Sequence, residues 1–132
     1  MKDIKNRIRL LDLRPTKQRI AIMKVLAEIG KVHVTASHLS EILFSKNIRI
    51  STATIYNNLN ELADRGFLNK VIVDKDKMWF DTNLAHHHHF YDEESEQIVD
   101  IESSKIEFLK LPDIPEGKSL KSINVVINVK KK

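Results

Sequence analysis

Ser51-Thr52-Ala53-Thr54-Ile55-Tyr56-Asn57-Asn58-Leu59-Asn60-Glu61-Leu62-Ala63-Asp64-Arg65-Gly66 is the stretch that decides the fold. Ser51 or Thr52 suits a helix N-cap, where a side-chain oxygen accepts from a free amide of the first turn. Ile55, Leu59, Leu62 and Ala63 then fall on one helical face, and Gly66 supplies the stop. With that stripe inward, Ala53, Thr54, Tyr56, Asn57 and Asn60 lie on or beside the outward face. Downstream the period changes. Phe67 to Val73 is rich in β-branched residues, Asp74-Lys75-Asp76-Lys77 reads as a turn, and Met78-Trp79-Phe80-Asp81 as a returning strand.

Upstream, Thr35 caps a helix with Leu39, Ile42 and Leu43 inward. Before it, the break at Arg14-Pro15 lets Thr16 cap a helix with Ile22, Val25, Leu26 and Ile29 inward, ended by Gly30. Residues 3–11 carry Ile4, Ile8, Leu10 and Leu11 at helical spacing. Helices followed by a charged two-stranded hairpin make a winged helix over residues 1–82. Two helices joined by a short connection, the second exposed near its N-terminus, are a helix-turn-helix.

Residues 83–132 have a different composition. Gln97 to Ile101 reads as a strand, Ser104 to Leu111 as a short helix closed by Pro112 and Pro115, and Leu120 to Val129 as a last strand. About 50 residues make a poor core alone. Pairing with a second copy through the apolar Val125-Val126-Ile127 strand resolves this, so a small α/β dimerisation domain and a homodimer are expected. The fold class is therefore α+β.

The chain has 132 residues and no cysteine, which excludes disulfides, thiolate zinc sites and thiol nucleophiles. No apolar run reaches the ~20 residues of a bilayer span, and Met1 to Arg7 has no secretory h-region, so a cytoplasmic protein without a membrane partner is expected. Residues 1–82 carry a net charge of +6 and residues 83–132 a net charge of −2. A basic module of this kind suits a polyanion. On the outward helix face, Asn can pair bidentately with adenine and Thr or Ala can touch the thymine methyl, so A/T-rich double-stranded DNA is the expected partner. Arg14, Lys17 and Arg19 are placed to grip phosphate, and Lys70, Lys75 and Lys77 to do so from the wing.

His86-His87-His88-His89 is the most unusual feature of the sequence. In an extended segment His87 and His89 share one face and His86 and His88 the other. Asp81 ends the wing strand and Asp100 lies in the next one, where a returning strand can bring a carboxylate to the imidazoles. Nitrogen and oxygen donors without sulfur suit Fe(II), Mn(II), Co(II) or Zn(II). A small metalloenzyme built on His87, His89, Asp81 and Asp100 is the competing class. It would need a further acid or base and a substrate pocket, and it leaves the basic winged helix unexplained.

Arg14-Pro15-Thr16-Lys17-Gln18-Arg19, His33-Val34-Thr35-Ala36, Ser51-Thr52-Ala53-Thr54-Ile55-Tyr56 and Trp79-Phe80-Asp81 with the histidine run resemble the ferric uptake regulator family of metal-dependent repressors. The resemblance covers nearly the whole chain. It implies a regulatory ion, Fe(II) or Mn(II), on His33, Asp81, His87, His89 and Asp100. It also implies a second metal or haem site on His86, His88 and Glu107 with a further histidine, yet none follows His89. DNA contacts are implied for Thr52, Thr54, Tyr56 and Asn57. Asn57 after the recognition tyrosine, Phe80-Asp81-Thr82-Asn83 and the absence of cysteine look most like the iron response regulators, which control iron and haem genes. The peroxide sensors, which also use Asp at both carboxylate positions, are the alternative branch.

Overall fold

A computed structural model describes residues 2–30, 33–74 and 77–132, and they form two compact units divided between Leu84 and Ala85. The first unit contains α1 (Lys2–Leu10), α2 (Lys17–Ile29), β1 (His33–Val34), α3 (Ala36–Ser45), α4 (Thr52–Asp64), β2 (Asn69–Asp74) and β3 (Lys77–Asp81). The second holds β4 (His87–Asp92), β5 (Gln97–Glu102), one 3-10 turn (Ser103–Lys105) and β6 (Val126–Val129).

Three hydroxyls set the helix starts. Thr16 accepts from the Arg19 amide at 3.2 Å, Thr35 from the His38 amide at 3.1 Å and Ser51 from the Thr54 amide at 3.1 Å. The turn between α3 and α4 is closed by a Schellman-type bond from the Ile48 amide to the Leu43 carbonyl, with Asn47 at φ 63°. Asn is among the few side chains that enter this left-handed region readily. The α4 end repeats the motif with Gly66 at φ 83° and a bond from the Phe67 amide to the Leu62 carbonyl. Ile22, Val25, Leu26, Leu39, Leu43, Ile55, Leu59 and Leu62 are buried as their spacing predicts, joined by Ile8, Met23 and Phe80.

The wing is larger than the expected hairpin. β1 pairs antiparallel with the far edge of β3, giving the order β1-β3-β2 and setting His33 opposite Asp81. Two residues are too few for a period of two to be visible. Asn58 also departs from the expected pattern: it is a polar side chain buried within the α4 stripe. Its amide nitrogen donates to the Thr54 carbonyl at 2.9 Å, and its oxygen accepts from Arg19 Nε at 3.1 Å.

Arg19→Ala is therefore expected to destabilise this unit by ~1–3 kcal/mol, because the Asn58 oxygen is left buried without a donor. Exposed Lys17→Ala should stay within about 0.5 kcal/mol. Urea midpoints of the two variants check this.

In the second unit β4 lies between β5, antiparallel, and β6, parallel. The expected helix over 104–111 is absent. Only the turn at Ser103–Lys105 forms, and its cap residue Glu102 makes no side-chain capping bond. An uncapped segment ending at Pro112 cannot offset the cost of helix nucleation. The last strand is also shorter than the expected 120–129. At its start the Val125 amide donates to His88 Nδ1 at 3.1 Å instead of joining the ladder, and regular pairing runs only over Val126–Val129. This unit is thus nearly all β rather than α/β.

Candidate metal centre and nucleic-acid interface

β4 and β5 build one donor set. Their register places His89 opposite Asp100, and alternation puts His87 on the same face. The His87 and His89 rings lie 4.5 Å apart, and their Nε2 atoms stand 3.2 and 3.4 Å from the same Asp100 Oδ1. His87 Nδ1 is hydrogen-bonded to the Ala85 carbonyl. A carbonyl only accepts, so Nδ1 carries the proton and the Nε2 lone pair is turned toward a carboxylate oxygen. In the neutral ring this sets two acceptors face to face, an arrangement that a cation between them or a proton on Nε2 reconciles. A backbone carbonyl holding the distal N–H is the usual support of a metal-binding histidine. One divalent ion satisfies both imidazoles and the carboxylate, whereas two imidazolium charges 4.5 Å apart would repel. The donors thus fit a nitrogen- and oxygen-preferring metal.

β1 and β3 build a second pair. Asp81 is buried, its Oδ2 lies 3.0 Å from His33 Nε2, and its Oδ1 accepts from the Asn83 amide at 2.8 Å. A buried carboxylate is retained where hydrogen bonds and a positive partner compensate its desolvation.

His86 and His88 occupy the opposite face, with rings 5.2 Å apart. Their partners belong to the chain approaching β6. His86 Nε2 lies 3.0 Å from the Ile123 carbonyl, and His88 Nδ1 takes the Val125 amide. Phe108 packs edge-on to His88 at 6.1 Å. Burial lowers the His88 pKa below the ordinary histidine value, and the neighbouring His86, His89 and His87 push the same way. Glu107 is exposed, and among the described residues it is not gathered with these imidazoles into a metal-binding group. His38 is exposed and outside the donor sets.

On α4, Thr52, Ala53, Tyr56 and Asn57 are exposed. The Tyr56 ring meets Phe80 edge-on at 6.1 Å, which braces it on the core. The Thr54 hydroxyl oxygen accepts from the Ser51 hydroxyl at 2.9 Å and belongs to the cap. Arg14 and Lys17 are exposed at the start of α2. Arg19 corrects the sequence expectation. Beyond its bond to Asn58, it donates from Nη1 to the Arg14 carbonyl at 2.8 Å and pairs through Nη2 with Glu61. It ties α2 to α4 rather than reaching for phosphate. Lys70 pairs with Asp64 at 3.3 Å, Lys77 stands at the start of β3, and Lys75 lies outside the described residues. Sequence reasoning missed Arg49, which stacks over the exposed Phe44 ring at 5.5 Å beside the α3–α4 turn.

The family model described as the ferric uptake regulator family matches residues 11–128. The chain is 37% identical over 93 residues to the peroxide-responsive repressor PerR of Staphylococcus epidermidis, covering 70% of this chain and 61% of that protein. To its Staphylococcus aureus (strain Mu50) counterpart it is 34% identical over 95 residues, covering 72% and 64%. The matched region thus spans less than two thirds of these relatives' length. A ferric uptake regulator from Pseudomonas aeruginosa with manganese superposes with a TM-score of 0.72 at 20% identity, covering 96% of each chain. That of Vibrio cholerae gives 0.74 at 19% identity, covering 96% of this chain and 98% of the other. With capped helices leading into a wing, a histidine-bearing sheet later in the chain and a family match over residues 11–128, the chain belongs to the ferric uptake regulator family.

Proposed function

We propose that the protein is a metal-responsive, DNA-binding transcription regulator and not an enzyme. The observation that carries this is the convergence of His87 and His89 Nε2 on one Asp100 oxygen, in a chain whose other unit is a winged helix. In this reading the buried His33–Asp81 pair and the His87–His89–Asp100 set share one ion, Fe(II) or Mn(II), with Zn(II) also accommodated by the donors. The bound ion supplies a positive centre that both units prefer in one relative arrangement, and ligand binding shifts the population toward it. In a homodimer that arrangement sets whether two α4 helices meet major grooves ~34 Å apart. Because His86 and His88 are used to hold the chain before β6, the reading takes an ion rather than haem as the ligand. No helix among the described residues is long and apolar enough to cross a membrane. The test is DNA binding by fluorescence anisotropy with Mn(II) and with chelator. Equal affinities in the two conditions would overturn the reading.

The DNA face makes its own prediction. Asn57→Ala should relax preference at one base position by ~1–3 kcal/mol. Lys17→Ala should weaken all sequences alike and reduce the salt slope by about one. Parent-like binding by both variants to operator and random duplexes would remove α4 and the start of α2 from the interface.

Iron-gene control in the manner of the iron response regulators is the specific role we favour, with A/T-rich operators. A peroxide-sensing repressor on the same donors is the alternative, favoured by the relatives named above and by aspartate at both carboxylate positions. Exposing the Fe(II)- and Mn(II)-loaded proteins to peroxide separates the two. Oxygen gained on a ligand-histidine peptide with iron only would select the sensor. Intact peptides with retained DNA binding would select the iron regulator.

A further inference from the structure

We propose that a groove on the first unit, separate from the metal donors and from the outward face of α4, binds a small amphipathic carboxylate. The groove has a volume of about 560 Å³ and runs between α1, α2 and the end of α3. Its floor is apolar: Ile20, Ala21 and Val25 from α2 and Ile48 from the turn after α3. Its rim is cationic, with Lys5 from α1 and Lys17 and Lys24 from α2. Lys17, Ala21 and Lys24 recur at the four- and three-residue steps of one helix face, so ammonium groups flank an apolar strip. The single carboxylate among the lining residues, Glu28, is paired with Lys46 at 3.0 Å. The charge on the other three lysines is therefore not neutralised within the groove.

Each alternative occupant leaves part of this surface unmatched. An inorganic anion or a DNA phosphate satisfies the lysines but leaves the apolar floor wet. A neutral apolar molecule covers the floor and leaves the rim charges unanswered. A carboxylate on a hydrocarbon or aromatic body answers both, and the volume lies in the range of small-molecule sites. The lysine stems add apolar contact along the walls while their ammonium groups stay hydrated.

The probe is sodium octanoate, titrated into the full-length protein and followed by amide chemical shifts. It is compared with 1-octanol, which has the same body without the charge, and with inorganic phosphate, which has charge without the body. Octanoate is expected to move the amides of Ile20, Ala21, Val25 and Ile48. Octanol and phosphate should each bind at least about tenfold more weakly. Lys5→Glu/Lys24→Glu changes two exposed side chains and should weaken octanoate by about tenfold with unchanged circular dichroism. Should the double variant fold poorly, Lys24→Gln gives the same readout at smaller amplitude. Octanol or phosphate binding as tightly as octanoate, an unaffected variant, or no shifts at millimolar octanoate would each overturn the proposal. None of these readouts involves DNA or metal, so they stand apart from the regulator reading.

Discussion

His89→Ala is expected to abolish divalent-metal binding, while His33→Ala leaves binding partly intact and removes the effect of metal on DNA affinity. His89 supplies one of two imidazole nitrogens aimed at Asp100 Oδ1, and without it the second unit keeps only His87 and the carboxylate. Loss of a group that merely supports a ligand costs about 10–100-fold in affinity, so loss of a ligand should exceed that. His33 sits on β1 beside Asp81, in the other unit. Removing it leaves His87, His89 and Asp100 able to hold an ion, but weakens the winged helix's share in it. His86→Ala and His88→Ala face away from this set. They should leave Mn(II) affinity within a few-fold while loosening the strand that their rings hold. Calorimetric Mn(II) titrations paired with anisotropy on one duplex separate these outcomes. Equal metal losses in His86→Ala, His88→Ala and His89→Ala would refute the two-face arrangement. A normal metal response in His33→Ala would refute the shared ion.

Phe90→Glu should convert a homodimer to a monomer. The register sets Phe90 beside Val99 on one side and Ile127 on the other, so the three form a row across one sheet face. All three are exposed, as is Val129 further along the same face. An apolar row of this kind on a unit of under 50 residues is surface that association would remove from water at roughly 25 cal/mol per Å². A carboxylate at its centre would be buried without a partner. Sedimentation at micromolar concentration should show parent dimers and variant monomers. Affinity for a two-half-site duplex should fall by at least about 100-fold, since the second half-site contact becomes an independent event. Circular dichroism should stay near the parent's, because the helices belong to the other unit. A monomeric parent, or a dimeric Phe90→Glu, would defeat this.

The helices were legible because their signals are local. Thr16, Thr35 and Ser51 are read as caps from residue type alone, and the apolar stripes from spacing. The alternation of His87 and His89 was legible for the same reason. What was hidden depends on partners distant in sequence. β1 is a strand only because β3 offers it an edge. Arg19 reads as a surface cation until Asn58 and Glu61, some forty residues away, are brought to it. Asn58 in turn looks like a gap in the stripe, since a single polar residue gives no sign of a buried partner. The absent helix after Ser103 shows the reverse error, in which plausible spacing without a cap was over-read.

The parallel β4–β6 pair has a consequence for the order of folding. β4 meets β5 after only residues 93–96, whereas residues 103–125 must be gathered before β6 can dock. Closing the longer span costs ~1.5 kcal/mol more in chain entropy, and the reward is one edge ladder of four residues. β6 should therefore dock late and open first, giving its amides the fastest hydrogen exchange of any strand in that sheet. Since His88 Nδ1 accepts the Val125 amide just ahead of β6, acidification that protonates this ring removes the acceptor and should accelerate exchange there before the rest of the sheet responds.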